Sequence, residues 1–353
     1  MSGSKMRIGF IGAGWWATSN HMPTLAKRDD VEMAGVCRLG VNELKIVKEE
    51  FNFKYATEDY KKLLGDVELD GVVVASPHTL HYEHAKAALE KGIHVMCEKP
   101  MCTNAHQAIE LVKLAKDRGL HLIVPYGWHY NGFVREAKSQ LDDGVVGSVQ
   151  YVLSHMASPI KQLLVGAPYT GADGGTEMFF EPEEATWADP KVAGGGYGHS
   201  QLSHALGMLF WLTDLEPLEV NAIMSSPDSK VELYDAVTVR FMGGAIGTIS
   251  GAATVPSDKG FQLDQRIFGS EGVMILDFDR ARLEVQRHDG EHYSMELSCD
   301  AGSYTCEGPP NNFADLIAKN TSENLAPGWA AARSVQLLDA AYRSSMSGKT
   351  ENV

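Results

Sequence analysis

The sequence is short of basic residues and has no long apolar run. Lysine and arginine number 31 against 46 aspartate and glutamate residues, a net charge of −15 in 353 residues. So acidic a chain lacks the basic surface that nucleic acids and anionic membranes require. No apolar run reaches the ~20 residues of a membrane span, and the first residues show no signal-peptide pattern. We therefore expect neither nucleic acid nor membrane as a partner.

Cysteine is also scarce, and its distribution argues against a fold held together by disulfide bonds or by zinc. The five cysteines are odd in number and lack the clustering of a zinc site; they are Cys37, Cys97, Cys102, Cys299 and Cys306. Reduced thiols in a cytoplasmic protein are the simplest explanation. We therefore predict a cytoplasmic protein that binds no metal.

Residues 1–125 show the alternation of a doubly wound α/β fold. The predicted buried strands are Ile8–Ile11, Met33–Cys37, Gly71–Ala75, Ile93–Cys97 and Leu120–Val124. The stretches with helical periodicity between them are Asn20–Lys27, Asn42–Phe51, Leu80–Lys91 and Asn104–Arg118. Strands that alternate with helices predict parallel βαβ units and hence a Rossmann-type parallel sheet.

Residues 126–353 predict a second, α+β domain with a mostly antiparallel open sheet. Turn signals such as Gly243-Gly244 separate several strand-like runs between residues 218 and 287. Segment 158–192 has no clear period, and irregular segments of that length are usually functional loops or lids. Helical patterns end the chain at Asn312–Lys319 and Pro327–Ser347. The last helix is expected to pack back on the first domain.

The first strand runs into a dinucleotide-binding fingerprint. Gly12 permits a tight turn, Gly14 lets the backbone approach a pyrophosphate, and Ala17 lets the helix pack on the strand. The helix N-terminus offers free N–H groups to phosphates. Trp15 and Trp16, inside the fingerprint, are expected to pack locally or to contact the adenosine side of the cofactor.

The residue after the second strand predicts the form of the cofactor. NAD-binding chains carry an acidic residue about 20 positions beyond the glycines, whereas this chain has Arg38-Leu39-Gly40. Arg38 suits a 2′-phosphate through charge-assisted hydrogen bonds. The alternative is an ordinary exposed loop arginine. We predict NADP(H) in preference to NAD(H).

The predicted strand Ile93–Cys97 ends in Glu98-Lys99-Pro100. Because ligands bind at the carboxyl ends of strands in such sheets, Lys99 is expected to point toward a bound nicotinamide. Its ammonium would polarise a carbonyl or lower the pKa of a hydroxyl, and desolvation would bring it toward neutral. The alternative is a surface salt bridge of Lys99 with Glu98 or with a neighbouring residue.

Four motifs together resemble the Gfo/Idh/MocA oxidoreductase family. They are Gly12-x-Gly14-x-x-Ala17, Ser76-Pro77-His78-Thr79-Leu80-His81, Glu98-Lys99-Pro100 and Gly194-Gly195-Gly196 followed by His204. The resemblance covers nearly the whole chain. It implies a Rossmann domain, a C-terminal α+β domain, and hydride transfer between NAD(P) and a sugar, polyol or related carbonyl. It also implies a homodimer or homotetramer formed through the C-terminal sheet.

By this resemblance Lys99 and His204 are the catalytic residues, and Pro100 is a cis proline. The family usually has an aspartate where this chain has Ser200, which cannot supply a carboxylate's charge. Proton transfer would then fall to His204 and Lys99. On a regular helix Ser200 and His204 share one face with Tyr197. His199 is expected at the surface, and a core role for His204 is the alternative.

The resemblance also assigns the remaining contacts. Ser76, Pro77, His78 and His81, with Glu98, are expected to bind or support the cofactor. Trp128 and His129 are expected to border the substrate crevice together with Tyr197 and Ser200; for Trp128, interdomain packing is an equal alternative. Two other functions stay open: a non-catalytic NADP(H)-binding redox sensor, and redox-neutral sugar chemistry with a tightly bound, recycled cofactor.

Overall fold

The computed structural model describes residues 5–169 and 178–353, which form two β-sheets covered by helices. Residues 170–177, part of the predicted loop 158–192, lie outside the described residues. The described part of that loop contains three short helices. Within the described ranges, no helix has the length and apolar character needed to cross a membrane. Nor do these residues include a group of three or more His, Cys, Asp or Glu side chains placed to hold a metal ion.

The first sheet contains six short parallel strands. They are β1 (Met6–Ile11), β2 (Val31–Cys37), β3 (Tyr55–Thr57), β4 (Gly71–Val74), β5 (His94–Cys97) and β6 (Leu122–Ile123). Their order is β3-β2-β1-β4-β5-β6, with every pair parallel. The predicted doubly wound sheet is therefore confirmed. The order reverses between β1 and β4, which places a ligand crevice at the carboxyl ends of these strands.

Helices cover both faces of this sheet. They are α1 (Met22–Ala26), α2 (Val41–Glu50), α3 (Tyr60–Asp66), α4 (His81–Glu90) and α5 (Ala105–Asp117). All four residues of β4 are buried, as expected of a parallel strand with helices on both sides. The apolar pattern of the sequence does not reveal β3 or α3, because β3 is a half-buried edge strand of three residues.

The second sheet has nine strands and is mostly antiparallel, as predicted. The strands are β7 (Val149–Ala157), β8 (Pro217–Ser225), β9 (Tyr234–Phe241), β10 (Ile246–Ala252), β11 (Gln262–Gly269), β12 (Gly272–Asp277), β13 (Arg282–Arg287), β14 (Tyr293–Met295) and β15 (Glu351–Asn352). Their order is β14-β13-β12-β11-β7-β10-β9-β8-β15, and β7 and β10 form the parallel pair. Along β9, buried and exposed residues alternate, so one face packs on the core while the other faces outward.

Seven further α-helices follow among residues 5–169 and 178–353. They are α6 (Gly132–Asp142), α7 (Lys161–Leu164), α8 (Glu184–Ala188), α9 (Pro190–Ala193), α10 (Ser203–Thr213), α11 (Gly308–Ile317) and α12 (Gly328–Ser347). Helix α12 contributes to both cores: Ala331 and Val335 pack with the first sheet, whereas Leu337 and Leu338 pack with the second. Phe313 of α11 also lies in the core of the first sheet.

Among the described residues, two helical turns are π-helical rather than α-helical. One spans Ala17–His21, directly after the glycine fingerprint, and the other spans Gly198–Leu202, directly before α10. In each, a backbone N–H donates to a carbonyl five residues back: Met22 to Ala17, and Ser203 to Gly198. Such turns are rare and occur often at functional sites.

Candidate functional site

The glycine turn after β1 excludes a side chain at Gly12 and leaves open space at Gly14. Gly12 has a φ of +95°, and a Cβ there would lie 2.4 Å from the backbone of Ala75 and Ser76. At Gly14, which is exposed, a Cβ would enter open space. The helical segment that starts here leaves its first N–H groups without intrahelical partners. This cradle fits the pyrophosphate of a dinucleotide.

Arg38 lies beside this turn rather than in a free surface loop. Its guanidinium donates a hydrogen bond to the carbonyl of Ala13, and its Cζ lies 4.3 Å from the ring centroid of Phe180. Its buried Nε has no hydrogen-bond partner among residues 5–169 and 178–353. A buried N–H normally finds an acceptor. The orphaned donor therefore fits an anionic group such as a 2′-phosphate.

The two fingerprint tryptophans are half-buried and contact aromatic residues from later in the chain. The Trp15 ring centroid lies 5.7 Å from that of Tyr169 and 6.1 Å from that of Trp187. The Trp16 ring centroid lies 6.3 Å from that of Tyr304. Residues that follow the first sheet therefore pack against the fingerprint.

The loop after β4 is tied to its surroundings by its polar side chains. Ser76 Oγ hydrogen-bonds to Nδ1 of His84 at 2.9 Å, and His78 donates from Nδ1 to the Ala193 carbonyl at 3.1 Å. Burial lowers the pKa of His78 well below its usual value, and the nearby charges of His81 and Lys99 lower it further. Pro77 between them is half-buried. This loop therefore stands between the fingerprint and Lys99.

His81 bridges two loops through both ring nitrogens. Nε2 lies 2.6 Å from the Ser76 carbonyl oxygen, and Nδ1 lies 2.7 Å from that of Pro100. Burial lowers the pKa of His81, whereas the two carbonyls act in the opposite direction. Since both nitrogens are occupied by the backbone, His81 holds the loops in place rather than reaching outward.

Lys99 follows β5 and is buried, so the alternative of a surface salt bridge is wrong. Its Nζ donates to the Ser200 carbonyl at 2.7 Å and lies 5.8 Å from the ring centroid of Trp187. Only 8% of the residue is exposed, and the Lys99–Pro100 peptide bond is cis. Burial lowers the pKa of the ammonium, while the charge of Glu98 raises it. The lysine is therefore moved toward the neutral form.

Glu98 points its carboxylate away from solvent, where His21 binds it. His21 donates from Nε2 to Oε1 at 2.6 Å, and the backbone N–H of Lys99 donates to Oε2 at 3.0 Å. Burial raises the pKa of Glu98, but the hydrogen bond and charge of His21, with the charge of Lys99, bring it below its usual value. Both carboxylate oxygens thus already have partners in the protein.

Ser200 meets Lys99 through its backbone rather than its side chain. It lies in the π-helical turn Gly198–Leu202, so the regular α-helical spacing assumed for Tyr197, Ser200 and His204 does not hold there. The Ser200 hydroxyl is buried and has no hydrogen-bond partner in the described part of the chain. A buried hydroxyl normally has a hydrogen-bond partner, so the Ser200 hydroxyl is suited to bind a polar group such as a substrate hydroxyl or a water.

His204 is the second residue of α10 and is enclosed by aromatic rings. Its ring centroid lies 5.4 Å from that of Trp128, 5.5 Å from that of Tyr304 and 5.7 Å from that of Tyr126. Burial lowers its pKa well below the usual value, and the charges of Lys99 and His129 add to this effect. Its Nδ1 has no hydrogen-bond partner among the described residues. His204 is therefore neutral and lies within the electrostatic reach of Lys99.

The other predicted substrate contacts are all buried, but their partners differ. Trp128 packs against His204 and donates from Nε1 to the Gly302 carbonyl at 2.9 Å. His129 is fully buried and stacks on Trp211 with ring centroids 4.7 Å apart; burial lowers its pKa to about 4.

Tyr197 is fully buried as well, and its hydroxyl accepts a hydrogen bond from Ser158 Oγ at 3.1 Å. Burial raises the pKa of this phenol. Trp128 thus borders His204, while the side-chain partners of His129 and Tyr197 lie in the second domain.

The prediction that His199 lies at the surface is wrong. The residue is 1% exposed, and its ring centroid lies 4.7 Å from that of Tyr342 on α12. Burial lowers its pKa to about 4. The reason is that every residue of the π-helical turn 198–202 and of the helical residues 203–212 that follow is buried, so this segment has no solvent face on which a surface histidine could lie.

Three site residues carry no sequence signal of their own. His21 lies beyond the fingerprint, Trp187 lies in the irregular segment before the glycine triplet, and Tyr304 lies in a loop after the second sheet. Tertiary packing alone brings Trp187 to Lys99, Tyr304 to His204 and His21 to Glu98. No spacing rule connects residues so far apart in the chain.

Two family models match the chain. One, described as an oxidoreductase family with an NAD-binding Rossmann fold, matches residues 6–126; the other, the GFO/IDH/MocA C-terminal domain, matches residues 134–275. A solved oxidoreductase domain protein from Kribbella flavida has the same fold, with a TM-score of 0.81 at 18% identity over 99% of this chain and 100% of that one.

Curated relatives cover different shares of the sequence. D-glucoside 3-dehydrogenase from Escherichia coli K12 is 32% identical over 149 residues, and this match spans 42% of each chain. The NADP⁺-linked D-xylose 1-dehydrogenase of Haloarcula marismortui is 26% identical over 308 residues, which are 84% of this chain and 76% of that protein. With both halves matched by models of one family, the chain belongs to the Gfo/Idh/MocA family of oxidoreductases.

Proposed function

We propose that this protein is an NAD(P)-dependent dehydrogenase or reductase that acts on a sugar, polyol or sugar-like carbonyl. The observation that carries the proposal is the buried Lys99, whose Nζ binds the backbone of the helical segment that leads to His204, at the same sheet edge as the glycine turn. The names of the glucoside and xylose dehydrogenases support a sugar as substrate. When bound, the nicotinamide accepts or supplies the hydride.

The chain's own residues handle the proton. Neutral Lys99 accepts the proton of a substrate hydroxyl at Nζ, or, as the ammonium, donates it to the oxygen of a carbonyl. Neutral His204, within the electrostatic reach of Lys99, offers a second site for the proton. Trp128 and Tyr304 exclude water from this pocket, and Ser200 Oγ orients a hydroxyl. His129 and Tyr197, which are both fully buried, help to hold these residues in position.

The proposal is tested with purified protein, both nicotinamide cofactors and a panel of aldoses, glycosides and polyols. Turnover of at least one compound supports a dehydrogenase. A chain that binds the cofactor but turns over no member of the panel favours a redox sensor instead. The buried Lys99 and His204 argue for the enzyme, because a sensor needs no proton donor.

The position of Arg38 supports NADP(H) as the preferred cofactor. Replacing Arg38 with alanine removes one charge-assisted contact to a 2′-phosphate, so we expect NADP(H) affinity to fall about 10- to 100-fold. The affinity for NAD(H), which lacks that phosphate, should change little. Titration by tryptophan quenching measures both, and Arg118→Ala, far from the fingerprint, serves as the control. Equal losses for the two cofactors would contradict the assignment.

The absence of the family aspartate predicts an unusual pH dependence. In Ser200→Asp a carboxylate next to Lys99 stabilises the ammonium and raises the pKa of the lysine. Oxidation needs the neutral amine, so the rise of kcat with pH should move to higher pH by about 1 unit or more. Ser200→Asn, which has the same shape without the charge, should leave the profile in place. A profile that moves equally in both variants would show that charge is not the cause.

The outer face of the second sheet supports a homodimer or homotetramer. Ile223 on β8 is 73% exposed and Ile246 on β10 is 48% exposed, although both are apolar. Exposed apolar groups on an open sheet face are typical of an interface. Ile223→Lys is expected to lower the molar mass measured by light scattering, and an unchanged mass would exclude this face as the interface.

The state of the cysteines supports a cytoplasmic location. All five are free thiols, as is usual for proteins of the reducing cytoplasm.

A second candidate function is redox-neutral sugar chemistry with a retained cofactor. Its support is the row of aromatic contacts that later residues make along the fingerprint: Phe180 over Arg38, and Tyr169 and Trp187 against Trp15. Residues placed in this way enclose a bound cofactor and slow its release. Cofactor that stays with the protein through gel filtration would favour this function, and its complete loss would favour simple dehydrogenation.

A further inference from the structure

One buried carboxylate connects the fingerprint helix to the backbone of Lys99. The oxygen Oε1 of Glu98 accepts from His21, and Oε2 accepts from the N–H of Lys99 itself. Of these residues, His21 is 2% exposed and Glu98 is 7% exposed. The orientation of the Lys99 backbone therefore depends on a carboxylate whose own orientation is fixed by His21.

The place of His21 depends on the π-helical turn Ala17–His21. An extra residue in a helical turn rotates the side chains that follow it relative to a regular α-helix. His21 is the last residue of that turn, and its ring faces Glu98, 77 residues further along the chain. The remaining ring nitrogen, Nδ1, is buried and has no hydrogen-bond partner among the residues that the structure describes. Among the described residues, Glu98 is thus the hydrogen-bond partner of the His21 ring.

This contact also affects charge at the site. Without a donor, burial would favour the protonated form of Glu98. With His21 in place the pKa of Glu98 lies below its usual value, and the ionised carboxylate is the group that opposes the effect of burial on Lys99. Loss of the His21 donor would weaken both effects, so the Lys99 ammonium would lose part of its counter-charge.

Other titratable groups also face Glu98. They are His21, His81, Cys97, Lys99, Tyr126, Tyr304 and Cys306. Burial raises the pKa of each of these tyrosines and cysteines, so they stay neutral through the neutral range. These four groups therefore leave the charge around Glu98 unchanged near neutral pH.

We propose that His21 is a positioning residue for Lys99, acting through the Glu98 carboxylate to set both the orientation and the charge of the lysine. The proposal rests on the oxidoreductase function proposed above. It adds a residue of the fingerprint helix, outside the glycine motif itself, to the machinery that handles the proton.

The test compares His21→Leu with His21→Gln, whose side-chain Nε2 can still donate to Glu98. In His21→Leu we expect kcat to fall about tenfold or more, with the cofactor Kd within about threefold of the wild type. The rise of kcat with pH should move to lower pH, because the ammonium loses counter-charge. His21→Gln should recover most of kcat and the original profile. If His21 served in packing alone, His21→Leu would not shift the pH profile, and His21→Gln would have no shift to reverse.

The control is His106→Leu, on the exposed side of α5, which should keep the activity and profile of the wild type. Wild-type kcat and pH profile in His21→Leu would overturn the proposal, as would a folded His21→Gln that is as poor as His21→Leu. If His21→Leu does not fold, Glu98→Gln gives the same comparison, and an unchanged pH profile in that variant overturns the proposal.

A readout without turnover separates this inference from the proposed function. A histidine N–H bonded to a buried carboxylate gives a downfield ring ¹H–¹⁵N signal that exchanges slowly, and His21→Gln should lose it. Its absence from the wild type overturns the proposal whether or not any sugar is turned over. Its presence in a chain that turns over nothing shows that the pair exists and that the proposed function is what fails.

Discussion

Replacing Lys99 with methionine is expected to lower kcat by about 10²- to 10⁴-fold, the range for loss of a general acid or base. Methionine keeps the length of the side chain and its packing beside Trp187, but it removes the atom that exchanges a proton with the substrate oxygen. The cofactor Kd should stay within about threefold, because the Arg38 and glycine contacts are untouched. Steady-state kinetics and a separate cofactor titration measure the two quantities.

A matched control is Lys91→Met, since Lys91 is an exposed lysine directly after α4. It should keep the kcat of the wild type. If Lys99→Met turned over substrate at the wild-type rate, Lys99 would have no role in proton transfer. A parallel loss of cofactor affinity and turnover would instead assign the lysine to cofactor binding.

Replacing His204 with asparagine is the second large effect that we expect, a fall in kcat of about 10²-fold. Neutral His204 lies within the electrostatic reach of the Lys99 ammonium and has an unpartnered Nδ1. An amide cannot exchange a proton in its place. The loss should be larger in kcat than in KM, because the aromatic pocket around residue 204 remains.

His199→Asn controls for the disturbance of a buried helix. His199 is as buried as His204 and precedes it in the same helical segment, but its ring faces Tyr342. Both variants should lower the melting temperature, and only His204→Asn should lower kcat by about 10²-fold. Similar losses of kcat in the two variants would contradict a chemical role for His204.

Patterns of local spacing predict most of the fold. Glycine turns, apolar runs and helical periodicity identify the doubly wound sheet and the antiparallel second sheet, since each depends on residues close in the sequence. The missed strands β3, β14 and β15 have two or three residues each. So short a segment has no period to read, and only the pairing with a neighbouring strand makes it a strand.

The candidate site is less visible in the sequence than the fold. Lys99 and Arg38 follow from strand ends, which a linear pattern marks. Trp187, Tyr304 and the partnership of His21 with Glu98 follow from packing between distant segments, which no linear pattern contains. The π-helical turn Gly198–Leu202 explains the error in spacing around Ser200: its sequence has helical character, but its hydrogen bonds skip one residue more than in an α-helix.

The route of the chain through α11 and α12 has a consequence for protein synthesis. Every strand of the first sheet has left the ribosome long before Phe313, Ala331 and Val335, which complete the apolar core around that sheet. Domains usually fold in order from the N-terminus as they emerge. Here the apolar core around the first sheet stays incomplete until residues 313–335 have emerged. A nascent chain halted near residue 300 would therefore present uncovered apolar surface to chaperones.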